Sequence, residues 1–98
     1  MHLTMKIRFY IDRETGLPHI YNHYVNENEV EEVMIAPGED RQGNDGSRVA
    51  IGQTLTGRYL KIIYVADSQP ESIFVITAYE LKGKPLSAYR RRKRRRRT

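Results

Sequence analysis

The chain has 98 residues, enough for one domain with a small core, and its 39% apolar residues fall in short clusters. It has no cysteine, which excludes disulfides, zinc–thiolate sites and thiol nucleophiles and is compatible with a reducing compartment. Its 17 Lys and Arg against 12 Asp and Glu hide a split: Arg90 to Arg97 are eight consecutive cations, and without them nine cations face 12 acids, a net −3. An anionic body with a polycationic end favours a polyanionic partner, because each Lys or Arg that neutralises a phosphate releases condensed counterions. No apolar run approaches the roughly 20 residues that span a bilayer. Residues 1–12 alternate rather than forming the continuous apolar stretch of a signal peptide, so no membrane association and a cytoplasmic location are expected.

In chain order, Met5, Ile7, Phe9 and Ile11 alternate with Lys6, Arg8, Tyr10 and Asp12, a period of two that predicts a half-buried strand. Thr15-Gly16-Leu17-Pro18 breaks it. His19 to Tyr24 reads as a helical turn after Pro18. Asn26 is placed as an N-cap with Glu29 three residues on, a capping box. Glu27, Glu29, Glu31 and Glu32 load the start and outer face of the helix that follows, and Val30, Val33 and Met34 form its buried stripe. Pro37-Gly38 ends it.

Asp40 to Ser47 is polar and glycine-rich and reads as a loop. Arg48 to Thr54 reads as a second strand. Arg58 to Val65 and Ser72 to Tyr79 are rich in β-branched and aromatic residues, apolar on both sides, and are expected at the centre of the sheet. Leu86 onward has helical character, but a run of like charges opposes an isolated helix, so the cationic end is expected to stay solvated. These elements predict an α+β domain over residues 1–89, with an antiparallel sheet of about four strands and two short helices near the N-terminus on one face, followed by a basic tail at 90–98.

The stretch His19 to Val33 resembles the helix pair of BrnT-type ribonuclease toxins and of a related group of small uncharacterised domains. Arg48 to Gly52, Thr54, Gly57-Arg58-Tyr59-Leu60 and Ile63-Tyr64 are similar to that family's hairpin. Phe74 to Tyr79 and Tyr89-Arg90-Arg91 are similar to its closing segments. The resemblance covers residues 19–91 and rests on short motifs in matching order and spacing. It implies a RelE-like fold and a metal-independent endoribonuclease, made together with a DNA-binding antitoxin that blocks it. Tyr79 stands where these toxins usually have Arg, and the leading strand lacks their Trp-Asp signature.

Cleaving RNA without metal needs a base for the 2′-hydroxyl proton, cationic donors for the developing phosphorane charge, and an acid for the leaving 5′-oxygen. His23 is the candidate base or acid, with His19 four residues away on the same helical face. Arg48 and Arg58 flank one hairpin and are candidates for a phosphate clamp, and their alternative is pairing with sheet carboxylates. Tyr79 could stack a base or donate a proton, whereas Tyr64 reads as a core tyrosine whose hydroxyl finds a partner. His19 and His23 lack a third ligand, so no metal site and no cofactor are expected. Tyr89, Arg90, Arg91, Arg92 and Lys93 are the candidate nucleic-acid contacts. The acidic helix is a solvated face or a docking surface for a basic partner such as the antitoxin.

Two functions follow. One is a toxin of a type II toxin–antitoxin pair that cuts RNA through His23, Arg48, Arg58 and Tyr79. The other, motivated by the Tyr79 departure, is a non-catalytic nucleic-acid- or protein-binding module of the same fold. A homodimer is left open.

Overall fold

The computed structural model describes residues 5–96. Five strands form one mixed sheet: β1 (Lys6–Phe9), β2 (Glu39–Gln42), β3 (Arg48–Gln53), β4 (Tyr59–Ala66) and β5 (Ser72–Glu80), in the order β1–β5–β4–β3–β2. A 3-10 turn (His19–His23) and helix α1 (Glu27–Ile35) lie between β1 and β2, and helix α2 (Gly83–Arg96) follows β5. The expected α+β class holds at this level. Three particulars differ: the described sheet has five strands rather than four, β1 runs parallel to β5, and α2 places a helix at the C-terminal end.

The run from β2 to β5 is antiparallel, each strand paired with its chain neighbour. The two strands read as central are both interior, β4 between β3 and β5 and β5 between β1 and β4, and β3 is enclosed as well, between β4 and β2. The register of β4 and β5 shifts between Ile63 and Tyr64, so that Ile63 faces Thr77 while Tyr64 faces Val75. Tyr10 is tied to β5 through its N–H on Val75 O, and His19 N–H then donates to Tyr10 O, which docks the 3-10 turn at the edge of β5 where β1 has ended.

Strand alternation sorts the side chains onto two sides. On the first side, Ala50, Leu60, Ile62, Tyr64, Ile73, Val75 and Ala78 pack with Ile20, Val25, Val30, Val33 and Met34, all in one buried cluster with Ile7 and Phe9 at its margin. Each fully buried aliphatic side chain here contributes roughly 1.5–3 kcal/mol against unfolding. The α1 stripe is the one read from its spacing, and the capping box forms in full: Asn26 Oδ1 accepts from Glu29 N at 2.9 Å, and Glu29 Oε1 accepts from Asn26 N at 3.1 Å.

On the second side, a smaller cluster joins Val49, Ile51, Leu81 and Tyr89, flanked by Tyr59 and Leu86. This is where α2 sits, so the helices lie on opposite sides of the sheet rather than on one. Residues 90–96 are the second half of α2, and the expected boundary between body and tail falls inside this helix. Gly83, at φ 61°, turns the chain into the helix, and Pro85 occupies its first turn, where a missing N–H costs nothing.

Candidate nucleic-acid interface

Helix α2 turns Leu86, Tyr89, Arg92 and Lys93 toward the sheet and leaves Arg90, Arg91 and Arg94 exposed. Tyr89, offered by its sequence as a nucleic-acid contact, is instead 4% exposed and is the helix's packing anchor. Its ring meets Tyr59 edge-on at 6.0 Å. Its hydroxyl reaches the β2 approach so closely that a Cβ built on Gly38 would fall on it, which is why that position carries glycine.

Arg92 is also taken inward. Its Nε and Nη2 donate to Glu39 Oε2 and Oε1 at 2.7 and 2.8 Å, the bidentate fork that suits a guanidinium to a carboxylate. Glu39 is 3% exposed and also accepts from Arg41 Nε at 3.2 Å. The hydrogen bond from Arg92, with Arg41 adding to it, holds the Glu39 carboxyl below the ordinary glutamate value against the opposing effect of burial. This clamp, together with favourable cations at a helix C-terminus, offsets the mutual repulsion that argued against a helix here.

Arg90, Arg91 and Arg94 stay outward, and Lys93 is half-buried. Arg90 lies over the Tyr59 ring, 5.1 Å from its centroid. Arg90, Lys93 and Arg94 line one side of a hollow of about 400 Å³, whose other walls are Ala36, Gly38, Gly52, Gln53, Tyr59 and Tyr89. Neither Arg90, Arg91, Lys93 nor Arg94 has a carboxylate partner among the described residues. The candidate contacts therefore divide: Arg90, Arg91 and Lys93 remain available to a ligand, while Tyr89 and Arg92 hold the helix down.

The four candidate catalytic residues do not assemble. Arg58 Nη1 donates to Glu29 at 2.9 Å and to Tyr24 O at 2.8 Å, and its Nε to Glu80 at 3.2 Å. Burial alone would lower its pKa, but Glu29 and Glu80 more than offset that and raise it. It staples α1 and the end of β5 to the start of β4. Arg48 donates through Nε to Asp40 Oδ1 at 3.0 Å, and Tyr64, 6% exposed, donates its hydroxyl to Asp40 Oδ2 at 2.7 Å. Burial first, then the Asp40 hydrogen bond, raises the Tyr64 pKa. Arg48 pairs with Tyr64 in the ladder, so it lies at the far end of the β3–β4 hairpin from Arg58, roughly 20 Å away along the strand. The shared phosphate clamp expected of Arg48 and Arg58 is absent for two reasons: each guanidinium is already matched to a carboxylate, and they sit at opposite ends.

His23 and Tyr79 do meet, with ring centroids 5.9 Å apart. They sit where the 3-10 turn borders β5, with Lys61 Nζ 5.9 Å from the Tyr79 centroid and His19 5.4 Å from His23. Tyr59 and Lys61 on β4 were not singled out in the sequence. Their signal is the alternation Tyr59-Lys61-Ile63 on one side of a strand whose other side is Leu60-Ile62-Tyr64, wholly buried.

The acidic helix is largely occupied by internal partners. Glu27 accepts from the Tyr21 hydroxyl at 2.8 Å, Glu29 from Arg58, and Glu32 from Leu55 N at 2.9 Å. Among the described residues no group of His, Asp and Glu is arranged to hold a metal ion, and no helix is long and apolar enough to cross a membrane. The chain matches no protein-family model, no curated protein and no solved structure.

Proposed function

We propose that the protein is a nucleic-acid-binding module that grips the sugar–phosphate backbone through helix α2, with RNA as its partner. The observation that carries this reading is the set of cations Arg90, Arg91, Lys93 and Arg94, without carboxylate partners among the described residues, on a helix that faces one buried acid, Glu39 of β2, already taken by Arg92 and Arg41. Guanidinium groups held on a rigid helix lose less freedom on meeting phosphate than the same groups on a solvated tail.

Titration of a labelled RNA oligonucleotide against rising salt tests it. The affinity falls steeply with salt, by about 0.7 in log K per phosphate contact for each unit of log salt. Replacing Arg90, Arg91 and Arg94 together with Ala removes two to three contacts from that slope (about 2 units) and costs on the order of 100-fold at low salt. Salt-insensitive binding, or full affinity in the triple variant, would falsify the reading.

A second reading is favoured by the His23–Tyr79–Lys61 contact. In it the protein is the metal-independent endoribonuclease of a toxin–antitoxin pair, as the BrnT-type resemblance suggests. His23 exchanges the proton at the 2′-hydroxyl, Lys61 balances charge on the phosphorane, and the Tyr79 phenol protonates the leaving oxygen. Arg48 and Arg58 take structural roles. Incubation of purified protein with RNA in EDTA decides it: cleavage that disappears in His23→Ala supports it, and RNA left intact by the wild-type chain removes it. The antitoxin of that reading is a basic partner for the α1 side.

A further inference from the structure

We infer that the strip of sheet that starts at Tyr59, on the margin of α2, is a stacking platform for single-stranded nucleic acid, continuous with the cations of α2. This rests on the backbone-gripping reading of α2 and names the form of nucleic acid it takes.

Aromatic and cationic groups alternate across this side of the sheet. Arg90 lies 5.1 Å from the centre of the Tyr59 ring. Tyr59 and Lys61 are two apart on β4, hence neighbours on the same side. Lys61 faces Tyr79 across the β4–β5 ladder, with its ammonium 5.9 Å from the Tyr79 centroid. His23 continues the row beside Tyr79, backed by His19 and then by Tyr10, 5.9 Å from His19. Further along the same side, Arg8 lies 5.6 Å from the Phe74 ring centroid.

The composition of this strip is wrong for a core and wrong for a plain solvated face. Lys61, Ile63, Val65, Phe74, Thr77 and Tyr79 are all half-buried, with rings and stems packed but their outer surfaces open. Thr77, on the same side as Tyr79, carries a hydroxyl closed off from solvent with no hydrogen-bond partner, a sign of packing left incomplete. The carboxylates that border the strip are engaged: Asp67 with Arg8, Ser68 and Ser72, and Asp12 with His19, Asn22 and Glu14 N. Asp12 sets the far limit, since phosphate would not pass it, so the track runs from Arg90 to His23.

The charge and spacing select the occupant. A membrane headgroup layer would need the cations in one plane around an apolar projection, whereas here partly exposed rings and cations alternate along one row. Partly exposed rings with cations at intervals suit bases that stack while the backbone runs past the guanidinium and ammonium groups. A duplex cannot present its base faces, so it gains nothing from the rings.

The test compares a single-stranded oligodeoxythymidylate of about 12 nucleotides with a DNA duplex of equal length, at matched salt. The deoxy strand keeps 2′-hydroxyl chemistry out of the measurement. The chain has seven tyrosines and no tryptophan, so tyrosine emission reports stacking directly. The single strand is expected to quench that emission and to bind at least about tenfold more tightly than the duplex. Tyr79→Ala and His23→Ala are each expected to weaken single-strand binding about 5- to 100-fold while leaving the salt slope unchanged. His23 is exposed, so its variant keeps the test valid if Tyr79→Ala does not fold. Equal binding of strand and duplex, or unchanged affinity in His23→Ala, overturns the platform while a retained salt slope leaves the α2 reading standing. Absence of binding to either form overturns both.

Discussion

The two sides of the sheet use the same residue types to opposite ends. On the α1 side, arginines are spent on carboxylates: Arg58 on Glu29 and Glu80, Arg48 on Asp40, around a cluster whose members Leu60, Ile62, Val30, Val33 and Val75 are fully buried. On the α2 side, Glu39 serves two arginines and Asp67 holds Arg8, while Arg90, Arg91 and Arg94 face outward without a carboxylate among the described residues, Arg90 over the Tyr59 ring. An arginine's role here is set by whether the fold supplies it an acid, and the second side runs out of acids.

Variants that separate the two sides test this division. The largest effect is expected from Leu60→Ala in the sealed cluster, about 2–5 kcal/mol lost in urea unfolding, from transfer and cavity together. Nucleic-acid affinity measured where the variant is still folded stays unchanged. Next, Arg58→Ala strands Glu29 and Glu80 and costs about 1–3 kcal/mol, again without changing affinity or its salt slope. A loss of affinity without a loss of stability would assign Arg58 to the ligand and dissolve the contrast between the sides.

Glu39→Gln is expected to cost about 1–2 kcal/mol at neutral pH, because Arg92 loses its charged partner, and to reduce the helical signal of α2. The pH dependence follows from the sign of the shift. The folded carboxyl titrates below its ordinary value, so its contribution is present in full above that value and is lost as pH falls through the folded one. Stability curves of wild type and variant should therefore begin to converge as pH falls below the ordinary glutamate value of about 4.3 and meet below the folded one, and curves that remain parallel into acid would show that Glu39 acts by shape alone. The smallest effect is Arg48→Ala, under about 1 kcal/mol, since its pair with Asp40 is substantially exposed.

Much of the frame was legible in the sequence because it rests on local patterns. The Asn26–Glu29 box, the Val30-Val33-Met34 stripe and the cores of β3, β4 and β5 follow from spacing and branching alone. Strand β2 was not legible: Glu39-Asp40-Arg41-Gln42 has no apolar residue, and its strand character comes from pairing with β3. As a wholly polar edge it also discourages pairing with other chains. The parallel seam of β1 on β5 joins residues more than 60 positions apart, which no local pattern encodes. For the candidate site, the cations of α2 were visible as composition, but their sorting was not. Which arginine turns inward depends on Glu39, a residue read as part of neither helix nor strand. Arg48 and Arg58 were placed together because a hairpin brings strands side by side; the register sets them at its two ends.

Helix α1, with four glutamates and no cation, and the outward guanidinium groups of α2 lie across the thickness of the sheet from each other. The molecule consequently has an electric axis perpendicular to its sheet. A distant polyanion exerts a torque on it and turns the α2 side forward before any atom touches, raising the fraction of encounters that are productive. That rotational guidance fades as salt shortens the reach of the field, independently of how firmly the contact holds once made.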